Sequence, residues 1–171
     1  MKQLSQNFQR AGFFRRLAAM IYDLLVATAV FMVTGIIMTV ILILLLENAM
    51  LDKHGLTHSM DVIAQSPLYA NIIFSWSILW VSGFFLWFWR NGGQTIGMRA
   101  WRLRIFSTTE QPFGYGRALL RLLCSLGGLG TILVLFDIKH KQSLQDRLAG
   151  TEILYLSKEA NHHTAWKDLQ N

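Results

Sequence analysis

The sequence predicts an all-α membrane protein with two long transmembrane helices, a third apolar segment broken by glycines, and a small cytoplasmic strand pair. Three observations predict it. Hydrophobic residues make up 53% of the 171-residue chain. Charged residues make up only 15%, against about 25% in a typical soluble domain. The apolar excess is concentrated in three runs, at 17–46, 68–89 and 118–136, rather than spread along the chain.

The first run is 30 residues long and carries one charge, Asp23. The second is 22 residues long and carries none. A span needs about 20 apolar residues, so both are long enough to cross. A soluble helix would carry a polar stripe along its length, yet residues 28–46 offer three threonines and a glycine. The first run is also at least twice the length of the apolar core of a signal peptide, about 7–15 residues. The third run has 19 residues, one charge at Arg121, and glycines at 127, 128 and 130. Two arrangements fit it: an ordinary span with glycines at a close helix contact, or a re-entrant hairpin turning at those glycines under cover of protein.

Charge sets the orientation. Lys2, Arg10, Arg15 and Arg16 precede the first span, and Arg90, Arg99, Arg102, Arg104 and Arg117 follow the second. The loop between them has one basic residue, Lys53, against Glu47, Asp52 and Asp61. The positive-inside rule therefore puts the N-terminus in the cytoplasm and residues 47–67 outside. Trp87 and Trp89 beside Arg90 fit an interfacial aromatic belt. The net charge of +6 is accounted for by orientation and by anionic lipid headgroups at the cytoplasmic face, so no nucleic-acid partner is expected.

Residues 101–106 alternate apolar and basic, and 151–156 also read as a strand. Isolated strands are unstable, and pairing these two requires them to lie on one side of the membrane. That favours an internal C-terminus, against Lys139, Lys141 and Arg147 outside if the third run crosses. Ser143 at a helix N-cap would put Asp146 at the third helical position, a capping box with Asp in place of Glu, and Gly150 would end that helix. Residues 1–156 read as one membrane domain and 157–171 as a polar tail.

Asp23 carries the functional question. An ionisable group within a span is costly and usually paired. Arg16 lies seven positions earlier, two turns back on the same helix face. With an internal C-terminus, Arg16, Asp23, Arg121 and Asp146 all fall near the inner face, where two arginines and two aspartates can neutralise each other. That pairing keeps both carboxylates ionised, poor for general acid chemistry, and no nucleophile–base set surrounds Ser143, Cys124 or His140. No enzyme, cofactor or metal is expected. Cys124 reads as a buried hydrophobe, and His54, His58, His140, His162 and His163 are scattered.

Three stretches in order carry a family resemblance: Ala-Gly-Phe-Phe-Arg-Arg-Leu-Ala-Ala-Met-Ile-Tyr-Asp at 11–23, Gly-Gln-Thr-Ile-Gly-Met-Arg at 93–99, and Ser-Leu-Gln-Asp-Arg-Leu-Ala-Gly-Thr at 143–151. The chain resembles the RDD family of bacterial integral membrane proteins, named for one arginine and two aspartates. These map onto Arg16, Asp23 and Asp146; Arg15 lacks the seven-residue spacing to Asp23. Met98 stands where many relatives have lysine. The resemblance implies a multi-pass protein of the bacterial inner membrane, with transport often presumed and sodium–proton exchange linked to some members.

Gly93, Thr95 and Gly97 form a turn motif. It lacks the full phosphate-loop pattern and reads as a tight turn from the second span towards the strand, with lipid headgroup or phosphate contact through Thr95, Arg99 and Arg102 as the functional option. Two functions follow. The first is a small cation or proton transporter, in which Asp23 is the exchangeable carboxylate and Arg16 its partner; so few spans would require a homo-oligomer. The second is a non-transporting binding or assembly module whose Arg/Asp set is a structural clamp.

Overall fold

The structure is a computed structural model, and it describes residues 8–53, 56–109, 113–137 and 140–162. The sequence readings at Lys2, His54, Lys139 and His163, and of the tail beyond 162, fall outside the described residues.

Strand β1 (Gln9–Arg10) leads into the long helix α1 (Phe13–Glu47). Nothing in residues 13–47 breaks the helix: no proline interrupts it, and its single interior glycine, Gly35, sits against Ser77. The helix stops where Ala49 turns into the left-handed region, at φ 54°. Helix α2 (Ser59–Gln65) follows, then α3 (Pro67–Gly92). Proline starts α3 at the position where its missing N–H costs nothing, and Gly93, at φ 61°, ends it. At 1.5 Å per residue, α1 is about 52 Å long and α3 about 39 Å. Both are long and apolar enough to cross a membrane, whose hydrocarbon core is about 30 Å thick. Their surfaces agree. Leu24, Leu25, Ile36 and Leu79 are all more than half exposed, an arrangement that hydrocarbon rather than water accommodates.

The chain divides into two compact units, Ala27–Gly83 on one hand and Met1–Val26 with Phe84–Asn171 on the other. The first holds the distal parts of α1 and α3 together with α2. Its core is Leu42, Leu46, Val62, Ile63 and Tyr69, extended by an edge-to-face contact of Phe31 with Phe74, at 5.8 Å between ring centres. Glu47 closes its loop end, accepting from Ser59 and, at 2.8 Å, from Lys53.

The second unit is built on a small antiparallel sheet. Helix α4 (Ile96–Ala100) leads to β2 (Leu103–Ser107). Then come α5 (Tyr115–Ser125), a 3-10 stretch (Leu126–Ile132), α6 (Leu133–Phe136), α7 (Leu144–Leu148) and β3 (Thr151–Tyr155). The sheet order is β1-β3-β2, with Leu103 opposite Tyr155 and Gln9 also opposite Tyr155. The sequence foresaw β2 with β3, displaced by two residues at the start of β2, because Trp101 still caps α4 and Arg102 takes a left-handed φ of 56°. It foresaw a pair; the sheet has a third strand, β1. One sheet face packs Leu103, Ile105 and Ile153 into a core with Ala11, Ala19, Trp89, Met98 and Ala118. The other face covers Phe106, Leu154 and Leu156.

The third apolar run begins earlier than its sequence suggests and is not straight. The helical stretches Tyr115–Ser125 and Gly127–Phe136 meet at 74°. The break falls at Gly127 and Gly128, at φ 66° and 104°, conformations that L side chains avoid. Helix α5 is inside out. It buries Arg121 and Ala118 and exposes Tyr115, Leu119 and Leu123, which share a face at i, i+4 and i+8. An exposed apolar face opposite a buried charge suits lipid, not water.

Candidate functional site

Asp146 is built by the local sequence. Ser143 caps α7 by accepting from the Asp146 amide at 3.3 Å, and the Asp146 carboxylate accepts from the Ser143 amide at 3.2 Å. This is the capping box the spacing predicts. The box fixes the carboxylate, and two arginines take it up. Arg16 Nη1 donates to Oδ2, and Arg121 Nη1 donates to Oδ1 at 2.6 Å. All three residues are at most 3% exposed.

One carboxylate between two buried guanidiniums leaves a net positive charge that other groups must satisfy. Arg16 Nε donates to the Ala11 carbonyl at 3.0 Å, and Nη2 donates to the Lys141 carbonyl at 2.8 Å. Nη1 also reaches Ser143 Oγ at 3.4 Å. Arg121 Nη1 donates to Thr151 Oγ1 at 2.6 Å, and its guanidinium lies 5.6 Å from the centre of the Trp89 ring, where the ring's negative face stabilises a cation. Burial pushes the Asp146 carboxyl up, but the charges of Arg121 and Arg16 outweigh it and hold the group at about 2. Asp146 is therefore a permanent anion at neutral pH, its oxygens committed to fixed donors.

Arg117 works beside this triad. Its Nε donates to the Ala149 carbonyl at 2.9 Å and its Nη2 to that of Gly150, satisfying carbonyls at the end of α7. Through Arg16, Arg121 and Arg117, the start of α1 and helix α5 are fastened to the segment 141–151.

Asp23 does not join the triad. Its Oδ2 accepts from Thr95 Oγ1 at 2.5 Å and its Oδ1 from the Gly97 amide at 2.8 Å. Thr95 is the N-cap of α4 and accepts in turn from the Met98 amide at 3.2 Å. The carboxylate thus completes the cap of α4, at the end where the helix favours negative charge. The pairing of Asp23 with Arg16 that the helical phase suggested is not made. Seven residues separate the two by about 10.5 Å along the axis, and Arg16 is drawn the other way, to Asp146.

The sequence treated Asp23 and the turn motif as separate features, and the structure joins them. Gly97 is what permits the contact: a methyl group there would lie 2.2 Å from the Ala19 carbonyl oxygen and 2.9 Å from Asp23 Cγ. Gly93 stands apart at the end of α3. Thr95, at 1% exposure, is committed to Asp23 and Met98 and takes no part in headgroup contact. Met98 belongs to the core. The signal that could have found Thr95 is its place at an N-cap with a glycine two positions on. Among the described residues, no three His, Cys, Asp or Glu side chains are placed to hold a metal.

The family model described as the RDD family matches residues 10–150. No curated protein and no solved structure matches the chain.

Proposed function

The chain belongs to the RDD family, and from that premise we propose that this integral membrane protein is a non-transporting binding or assembly module of the bacterial inner membrane, its Arg16–Asp146–Arg121 set a structural clamp. One observation carries the reading. Every oxygen of Asp146 is taken by a guanidinium or a cap amide, and the group stays ionised far below neutral pH. A carboxylate so held is a fixed tie between the start of α1, helix α5 and the cap of α7, which is the part a structural clamp plays.

The topology that accompanies this reading has the N-terminus in the cytoplasm and the sheet on the same side. Supporting it, β1 precedes the first span, β2 follows the second, and β3 pairs with both. Strands in one sheet share one side of the bilayer. The chain between β2 and β3 then returns to the side it left, which the 74° bend at Gly127 and Gly128 supports. In this reading the third run is a re-entrant hairpin.

A specific observation favours a second reading, ion transport by an oligomer. Asp23 lies within α1 and, among the described residues, accepts from a hydroxyl and an amide rather than from a guanidinium. Proteoliposomes carrying sodium or proton gradients separate the two. The module reading expects wild-type flux equal to that of empty vesicles. Ion-coupled flux abolished by Asp23→Asn, with the fold intact, overturns it.

A further inference from the structure

Two arginines outside the clamp converge on one ring. The guanidinium carbon of Arg15 lies 3.8 Å from the centre of the Tyr155 ring, and that of Arg102 lies 5.0 Å from it. Among the described residues neither guanidinium makes an ion pair or a side-chain hydrogen bond. Glu159 is near enough to feel Arg102 but forms no ion pair with it. Two like charges gathered at one ring repel each other. The backbone adds to the cost. Arg102 is held at φ 56°, a conformation that costs a non-glycine residue free energy and marks places where a side chain's position matters. An anion between the two guanidiniums relieves the repulsion.

The surroundings identify the kind of anion. Arg15 is the third residue of α1 and precedes its long apolar run by two positions, so it stands at the edge of the hydrocarbon. Seven positions on, on the same helix face, Tyr22 makes an edge-to-face contact with Trp101, at 6.2 Å between ring centres, and Trp101 is the neighbour of Arg102. Tyr22 is 49% exposed and Leu25, one turn further, 68%. A cationic mouth therefore opens onto an exposed aromatic and aliphatic track that runs along α1 away from the charged end. That is the shape of an amphiphile with one negative headgroup, not of a free inorganic ion.

We propose that Arg15, Arg102 and Tyr155 form a binding site for the phosphate of an anionic phospholipid, whose acyl chain lies along Tyr22, Trp101 and Leu25. The site needs α1 to be in a membrane and is independent of whether the clamp or the transport reading of Asp23 holds.

The test is native mass spectrometry of the full-length protein released from nanodiscs of phosphatidylcholine containing a minor fraction of phosphatidylglycerol. Wild type retains phosphatidylglycerol over phosphatidylcholine by about thirtyfold, the product of two basic side chains near a membrane surface. Arg15→Gln with Arg102→Gln brings the two lipids to parity, while Lys158→Gln, which removes one exposed positive charge outside the pair, leaves retention unchanged. Thermal melts of each variant report folding; if the double variant does not fold, Arg15→Lys and Arg102→Lys, which keep charge and lose the forked geometry, each lower retention. Unchanged retention in the double or lysine variants overturns the site, and so does an equal loss in Lys158→Gln, which would show diffuse charge attraction. Inorganic phosphate that displaces phosphatidylglycerol, or stabilises the protein equally in pure phosphatidylcholine, overturns the lipid assignment in favour of a free phosphate.

Discussion

The Gly97 amide donates to the Asp23 carboxylate at 2.8 Å, and the same glycine lies so near α1 that a single methyl group would meet the Ala19 carbonyl at 2.2 Å. The hydrogen bond and the close approach depend on each other. Gly97→Ala forces α4 away from α1 and breaks the bond. Overpacking of a tight contact costs about 1–3 kcal/mol, and the lost bond adds about 1 kcal/mol. Thermal melts in nanodiscs should show Gly97→Ala well below wild type, while Gly92→Ala, where a methyl group meets open space, stays close to it.

Asp23 separates structural from chemical roles by its substituents. Asparagine can keep Oδ1 on the Gly97 amide and turn its own amide towards Thr95 Oγ1, so Asp23→Asn retains most of the stability. Asp23→Ala leaves a buried hydroxyl and a buried amide without their partner, at about 1–3 kcal/mol. A melt in which asparagine is as damaging as alanine would show that the negative charge itself, through the N-terminal end of α4, dominates.

The clamp has an acid limit. Asp146 titrates at about 2 in the folded protein against an ordinary 3.8. Its stabilising contribution is therefore complete above about 3.8 and is lost as the pH falls through about 2. Asp146→Asn removes it at every pH and leaves two buried guanidiniums uncompensated, a loss of about 3–5 kcal/mol. Melting temperatures of wild type and Asp146→Asn should differ most near neutral pH and converge in the acid range. A gap that stays constant down to pH 2 would place the role of Asp146 elsewhere.

Ser143 holds the carboxylate in place from within α7. Ser143→Ala removes an N-cap, about 1 kcal/mol, and loosens the aim of Asp146 at Arg16. Combined with Asp146→Asn, the serine change should cost less than it does alone, because its partner is already altered. Additive melts would show two independent contributions.

Sidedness is open to labelling. With Cys124 replaced by serine, cysteines at the exposed Ser157 and at Met50, 72% exposed, report the two ends of the spans. In intact cells a membrane-impermeant maleimide should reach the cysteine at 50 and reach that at 157 only after lysis. Labelling at 157 before lysis overturns the re-entrant reading of 115–136.

Much of this architecture was legible in the chain. Uninterrupted apolar length gave α1 and α3, alternation gave β2 and β3, and the Ser143–Asp146 spacing gave the capping box, because each signal is local. What was hidden required knowing where distant segments meet. β1 has two residues, too short for a period to register, and exists because β3 offers it an edge. The partner of Asp23 lies 72 residues away at Thr95. Helical phase pointed instead to Arg16, since phase reports the face of a helix and says nothing of distance along it.

The position of β3 in the middle of its sheet has a consequence for how the protein is made. Of the three strands the central one is the last to leave the ribosome, so neither β1 nor β2 has a neighbour to pair with until β3 is made. Arg16 and Asp146 are 130 residues apart, an interval of about ten seconds at ordinary elongation rates. Through that interval the first helix enters the bilayer with its arginine at the boundary and no counter-ion yet in existence. Chains that stop short of 146 never acquire one. Synthesis of the segment that carries Asp146 thus supplies the counter-ion of Arg16 and Arg121 in one step.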